Sequence, residues 1–252
     1  MQDKLIETLL NRKTIRKYTD KQIDDEVLNT ILEAGIRASN CGNMQVYSIV
    51  ITRDEQRKKD LAKFHFGQPM VTQAPVVMTI CADVNRFGKW CNQRKADAES
   101  YSNFLWFNIA TVDATIATQA MCSAAEGLGL GICYLGTVMY FAKEIAEFLH
   151  LPKGVVPITT ITIGYPAENP SLTERLALNA VVHNEVYKDY SEEDIEQIYG
   201  ELEQLPQSKR YVEENKQENL AQVFTNCRYK KEDSLLFGGN YLEFIKEQGF
   251  MD

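Results

Sequence analysis

Six cysteines stand in the chain, no two of them spaced as CxxC, and its three histidines form no HExxH or similar pair. Most of the cysteines (Cys41, Cys81, Cys91, Cys122, Cys133 and Cys227) have apolar neighbours. Reduced thiols in a core are expected, rather than disulfides or a zinc site. His65, His150 and His183 offer no ligand spacing, so no metal is expected. Positive charge is not in excess either. The net charge is −8, with 20 acidic and 20 basic side chains in residues 1–188 and 15 acidic against 7 basic in 189–252. A neutral body with an acidic last quarter argues against nucleic-acid binding, which needs a basic surface. The opening MQDKLIETLLNRK lacks an apolar run of signal-peptide length, and no later stretch reads as a membrane span. A soluble cytoplasmic protein is the expectation. Repeats and low-complexity tracts are absent.

What is present is organised around the stretch from Tyr101 to Gly136. Tyr101 to Glu126 contains no proline or glycine and predicts a helix roughly 39 Å long. Leu105, Ile109, Val112, Ile116 and Ala120 fall on one helical stripe; Phe104, Phe107, Ala114, Ala117, Met121 and Ala124 fall on others. A helix apolar on several sides is a buried one. Asn108, Asp113, Gln119 and Glu126 interrupt it too often for a membrane span. Some of its packing partners can belong to a second copy of the chain, which points to a homodimer. The following Gly127-Leu128-Gly129-Leu130-Gly131 is not a dinucleotide fingerprint, because Ile132 stands where the third glycine belongs and the run follows a helix instead of opening one. It reads as a helix stop before a short strand at 132–135.

The remaining periodicities predict helices at Leu5–Asn11, Asp24–Arg37, Asp54–His65, Phe141–His150, Ser191–Gln204, Lys209–Phe224 and Tyr241–Gln248. In the second of these, Asp24 is the N-cap and Val27, Leu28, Ile31, Leu32 and Ile36 form the buried side. Strands are predicted at Val46–Thr52, Val76–Ala82 and Ile158–Tyr165, with Ala180–Tyr187 a further strand or an extended arm. Four or five strands among more numerous helices make the class α+β. Residues 1–188 read as the body of one domain and 189–252 as a helical extension of it.

Arg12, Lys13, Arg16, Lys17 and Lys21 crowd ten positions with only Asp20 opposing them. On charge alone the knot is a bound-anion site or a solvated turn. Four stretches stand in order: Arg12-Lys13-Thr14-Ile15-Arg16-Lys17-Tyr18; Ala38-Ser39-Asn40-Cys41-Gly42-Asn43-Met44-Gln45; Glu126-Gly127-Leu128-Gly129 running into Tyr134-Leu135-Gly136; and Leu151-Pro152 through Pro157 to Gly164-Tyr165-Pro166-Ala167-Glu168-Asn169-Pro170. Together they resemble the nitroreductase family of flavin enzymes over roughly the first 180 residues. The resemblance is greatest to its larger branch of NADPH-preferring, oxygen-insensitive enzymes and flavin reductases. It implies an α+β homodimer with a central mixed or antiparallel sheet flanked by helices, a long interface helix, and two FMN sites shared between subunits. Under it, residues 1–188 are the FMN-binding core and 189–252 an excursion that embraces the partner or shapes the substrate pocket.

The resemblance also implies roles. Arg12 takes the phosphate-binding basic position, with Thr14 as hydroxyl donor and Lys13 either assisting or facing solvent. Arg175 delivers a second phosphate ligand, and guanidinium is the bidentate partner a phosphate favours. Arg16 lies at the pyrimidine edge of the flavin, where a cation favours electron uptake. Ser39, Asn40, Asn43 and Gln45 suit ribityl hydroxyls and ring edges, in the family often those of the other subunit; turn formation is the competing account. Gln68 takes a polar position near the flavin. Tyr134, Leu135 and Gly136 line the ring. Thr173 stands where many relatives carry lysine, so one phosphate charge is missing. Lys209, Arg210, Lys216 and Arg228 are the candidates for an NADPH 2′-phosphate, without a residue-by-residue match.

The implied activity is hydride transfer from NAD(P)H through FMN to nitroaromatics, quinones or free flavin by a ping-pong mechanism, without a protein acid, base or metal. The alternatives are a flavin storage or sensing module without turnover, and a different flavin reaction on the same fold, such as dehalogenation or an oxygen-dependent step.

Overall fold

The computed structural model describes residues 4–251. The elements are, in chain order, α1 (Lys4–Leu10), α2 (Asp25–Ile36), β1 (Tyr47–Thr52), α3 (Glu55–Lys63), α4 (Pro69–Gln73), β2 (Val76–Asp83), α5 (Asn85–Gln93), α6 (Phe104–Gly127), β3 (Gly131–Leu135), α7 (Ala142–Phe148), β4 (Val155–Gly164), α8 (Glu192–Gln204), α9 (Pro206–Glu214), a single turn α10 (Leu220–Gln222) and α11 (Lys231–Glu247). The class is α+β, as expected. The four strands pair antiparallel in the order β1-β2-β4-β3. The chain divides into two compact units, residues 1–171 with 238–252, and residues 172–237.

The first unit has the sheet in its middle, and strand alternation sorts the core. Val76, Met78 and Ile80 of β2 and Ile161 and Ile163 of β4 pack against Leu28 and Ile31 of α2 and Ala114, Ala117 and Met121 of α6. From the opposite face, Val77 packs with Leu61 of α3, Val71 of α4 and Ile145 of α7. Every residue of β2 is buried, which is why its sequence reads as a continuous apolar run. β4 begins earlier than its apolar run predicts. Pro157 falls inside it, where β3 does not reach and a missing N–H leaves no gap on that side. A one-residue bulge at Ile158, opposite Ile80 and Cys81, accommodates the change.

The long helix starts at Phe104 rather than Tyr101, because the Asn103 side chain caps it by accepting the Trp106 N–H at 3.2 Å. Its stripes are not all buried. Phe107, Ala114, Ala117 and Met121 face the core, whereas Leu105, Val112 and Ile116 are 65 %, 55 % and 40 % exposed. Leu5, Ile6, Leu9 and Leu10 of α1 are exposed as well, and Ile36 turns to solvent, unlike the rest of the predicted buried side of α2. No described helix is long and apolar enough to cross a membrane.

The second unit holds α8, whose Ser191 and Asp194 form a reciprocal capping box, then α9, α10 and a wide turn at Val223–Arg228. Residues 180–187 are neither strand nor helix beyond the turn at Leu178–Ala180. Their backbone is held by the Tyr190 hydroxyl, which donates to the Ala180 carbonyl at 2.9 Å. The final helix begins at Lys231, ten residues before its predicted start. Gly238 and Gly239 hide the continuity in the sequence.

Candidate active site

The basic segment lies along the outer edge of β3. Thr14 bridges Ile132, and the Ile15 N–H donates to the Ile132 carbonyl at 3.0 Å. Buried Ile15 and Tyr18 anchor it from beneath, while Arg16 and Lys17 stay exposed. Two glycines make the seat. Gly131 and Gly164 are register partners on β3 and β4. A Cβ on Gly131 would come within 2.5 Å of Ile15, and one on Gly164 within 2.7 Å of Tyr18. The Tyr18 hydroxyl donates to the Ile15 carbonyl at 2.7 Å and meets Thr162 Oγ1 at 2.7 Å. Burial raises its pKa well above the phenol range.

The far side of the segment is zipped to the turn after β4. Thr19 N–H donates to the Tyr165 carbonyl and Ala167 N–H to the Lys17 carbonyl, both at 2.9 Å. The Glu168 carboxylate accepts the N–H groups of Arg16 and Lys17 at 2.6 and 3.0 Å, and Lys13 Nζ donates to Asn169 at 2.9 Å. Arg12 pairs with Glu126 at the end of α6, Nε to Oε1 3.3 Å. Burial raises the Glu126 pKa, against the pull of Arg12. Beside this pair, burial pushes the Cys122 thiol up to about 12 and raises Tyr134, whose hydroxyl points to Gln119 at 3.4 Å. The Cys133 thiol is also raised by burial, opposed by the charges of Arg16 and Arg12.

Leu135 ends β3 and Gly136 opens the turn that follows; a Cβ on Gly136 would meet nothing within 4 Å. The next residue, Thr137, is 2.7 Å from Nδ1 of His65, a fully buried ring. Burial drives the His65 pKa down to about 4. The contact ties this turn to the Phe66–Gly67–Gln68 corner, where Phe66 and Gly67 both have positive φ. Arg12, Lys13, Thr14, Arg16, Gln68, Tyr134, Leu135 and Gly136 therefore belong to connected segments along the β3 edge of the sheet.

The Ser39–Gln45 loop is elsewhere. Its Cys41 N–H donates to buried Asp113 of α6 at 2.9 Å, and Asp113 is about 20 Å along the helix axis from Glu126. Gly42, Asn43 and Gln45 all have positive φ. The Gln45 amide donates to Asn40 at 3.2 Å and to Asn43 at 2.7 Å, and Arg86 donates to the Gln45 carbonyl. Ser39 is exposed. Arg175 stands in the second unit, its guanidinium on the Thr173 and Glu174 carbonyls at 3.2 and 3.3 Å. It lines a cavity of about 860 Å³ in that unit, with His183, Asn184, Tyr190 and Gln197. Among the described residues no cluster of His, Cys, Asp or Glu could hold a metal.

Glu126, Glu168, Asn169, His65 and Asp113 support the site without having been candidates for it. Asp113 and Glu126 carried a signal, since each is a carboxylate inside an otherwise apolar helix. His65 carried none.

The nitroreductase family model matches residues 9–165. The chain is 35% identical over 192 residues to an FMN reductase [NAD(P)H] of Bacillus subtilis, covering 75% of this chain and 77% of that protein. A solved chain from Bacteroides fragilis is 48% identical with a TM-score of 0.96, covering 98% of this chain and all of that one. The NADPH:FMN oxidoreductase of Vibrio harveyi, solved with NAD+, has a TM-score of 0.82 at 28% identity, covering 98% and 99%. The chain belongs to the nitroreductase family.

Proposed function

We propose that this protein is an FMN-dependent oxidoreductase that oxidises NAD(P)H and reduces a small electron-poor acceptor. The observation that carries the reading is the basic segment Arg12–Lys17, fixed along the β3 edge by two facing glycines. The residues fit FMN by their donor chemistry. Three cations and the Thr14 hydroxyl, which has no partner among the described residues, serve a phosphate and a ring edge. Open space over Gly136 leaves its backbone free to approach a flat ring.

FMN, when bound there, would supply the redox chemistry that couples nicotinamide oxidation to reduction of a nitroaromatic, a quinone or free flavin. Arg12, Lys13 and Thr14 hold the phosphate. Arg16 places positive charge where the pyrimidine edge gains electrons. Tyr134, Leu135, Gly136 and Gln68 form the wall beside the ring. Arg175 enters as a second phosphate ligand on the resemblance alone. Donor and acceptor use one slot in turn, which gives ping-pong kinetics.

Two features support a homodimer. Leu105, Val112 and Ile116 form an exposed apolar stripe on α6, and the Ser39–Gln45 loop lies too far along that helix to reach its own chain's Arg12. In a two-fold pair it serves the partner's flavin. The test is reconstitution: protein incubated with FMN and desalted stays yellow, and double-reciprocal plots of NADPH against acceptor are parallel. Protein that remains colourless refutes the proposal, and intersecting lines refute the shared slot.

A further inference from the structure

The hydrogen bonds of the basic segment change partner halfway along. The Ile15 backbone N–H goes to β3. At Arg16 the chain leaves that edge, and the next two N–H groups both point at one side-chain oxygen, Glu168 Oε1, at 2.6 and 3.0 Å. The carboxylate is half-buried and comes from the turn that the backbone pairs of Thr19 with Tyr165 and Ala167 with Lys17 already fix. An N–H bond to a charged acceptor is about twice as strong as a neutral one. Glu168 thus decides where the Arg16 Cα stands and from which point its guanidinium reaches.

We infer that Glu168 is a positioning residue for Arg16, and that its negative charge tempers the effect of Arg16 on the reduction potential of the flavin. The inference rests on the proposed FMN site. Supporting it, the Cys133 thiol and the Tyr18 hydroxyl feel both charges, Arg16 in one direction and Glu168 in the other. A charge change nearby is subject to the same opposition.

Two substitutions separate position from charge. Glu168→Gln keeps an oxygen in place for the two N–H groups and removes the charge. Glu168→Ala removes both. FMN affinity is read by titration of flavin fluorescence, and the midpoint potential of the FMN-loaded protein by spectroelectrochemistry. Glu168→Gln binds FMN within about threefold of wild type and has a more positive potential, because less negative charge opposes electron uptake. Glu168→Ala loses at least about tenfold in affinity. Arg16→Ala moves the potential the opposite way from Glu168→Gln. Wild-type protein that takes up no FMN overturns the functional reading and this inference together. Wild type that binds FMN, with both Glu168 variants matching it in affinity and potential, overturns the inference alone, as does a more negative potential in Glu168→Gln.

Discussion

The guanidinium of Arg12 lies 3.3 Å from the carboxylate of Glu126, whose side chain is only 9% exposed. The carboxylate sits in the last turn of α6, where the helix dipole disfavours negative charge, so the arginine is what offsets its burial. Arg12→Ala leaves that charge unpaired. The variant is expected to lose about 1–3 kcal/mol of stability, and Arg12→Ala/Glu126→Gln to recover most of it. Urea unfolding of the single and double variants measures the cycle; a double variant no more stable than Arg12→Ala would show the pair to be uncoupled.

Gly131 is the seat of Ile15, and the space is already full. A methyl group there would lie 2.5 Å from Ile15 Cγ1 and 2.6 Å from its Cβ. Gly131→Ala is expected to cost about 1–3 kcal/mol through overpacking and to weaken FMN binding by shifting the basic segment. Ile15→Ala does not rescue it, because the Cβ at position 15 remains. Full FMN affinity in Gly131→Ala would mean the segment can move without consequence.

These two sites show how far the sequence could be read. Arg12, Lys13, Thr14 and Arg16 announced themselves by crowding, and β2 by its apolar run. What the pattern could not show was pairing at a distance. Glu168 is more than 150 positions from the amides it accepts, and no local period links them. The apolar stripe of α6 was legible, but not which stripe would be covered: one chain uses Phe107, Ala114 and Met121, leaving Leu105 and Val112 outside. Ile36 was assigned to the core by spacing, and the end of α2 turns it out. Pro157 and the glycines at 238 and 239 hid two elements that run on through them.

His65 gives the protein an acid sensitivity of definite sign. Its folded pKa is about 4 against an ordinary 6.5, because the buried ring loses its hydration when charged. The unfolded chain therefore binds the proton first as pH falls. The stability contribution is complete above pH 6.5 and is lost progressively between pH 6.5 and 4, by about 3 kcal/mol in all. Urea midpoints at pH 7.5 and 4.5 should fall less in His65→Gln than in wild type; equal falls would assign the acid loss to other groups.

Asp113 holds the Ser39–Gln45 loop through its Oδ1. That oxygen takes the Cys41 N–H, while Oδ2 and the nearby Tyr47 hydroxyl are buried without hydrogen-bond partners among the described residues. Burial and then the Asp113 charge raise the Tyr47 pKa. Asp113→Asn keeps the acceptor and removes an unpaired charge, so its stability stays within about 1 kcal/mol of wild type or exceeds it. Asp113→Ala frees the Cys41 amide, and cleavage within residues 40–45 during limited proteolysis should quicken several-fold. Unchanged cleavage in Asp113→Ala would show the positive-φ residues hold the loop unaided.

The central claim is that the chain carries FMN and that NAD(P)H reduces it there. Anaerobic titration of the FMN-loaded protein with NADH and with NADPH, following the flavin absorbance, addresses both halves at once. The yellow band is expected to bleach at one nicotinamide per flavin and to return on adding a quinone or a nitroaromatic. A flavin band that stays unbleached with both nicotinamides would contradict the claim.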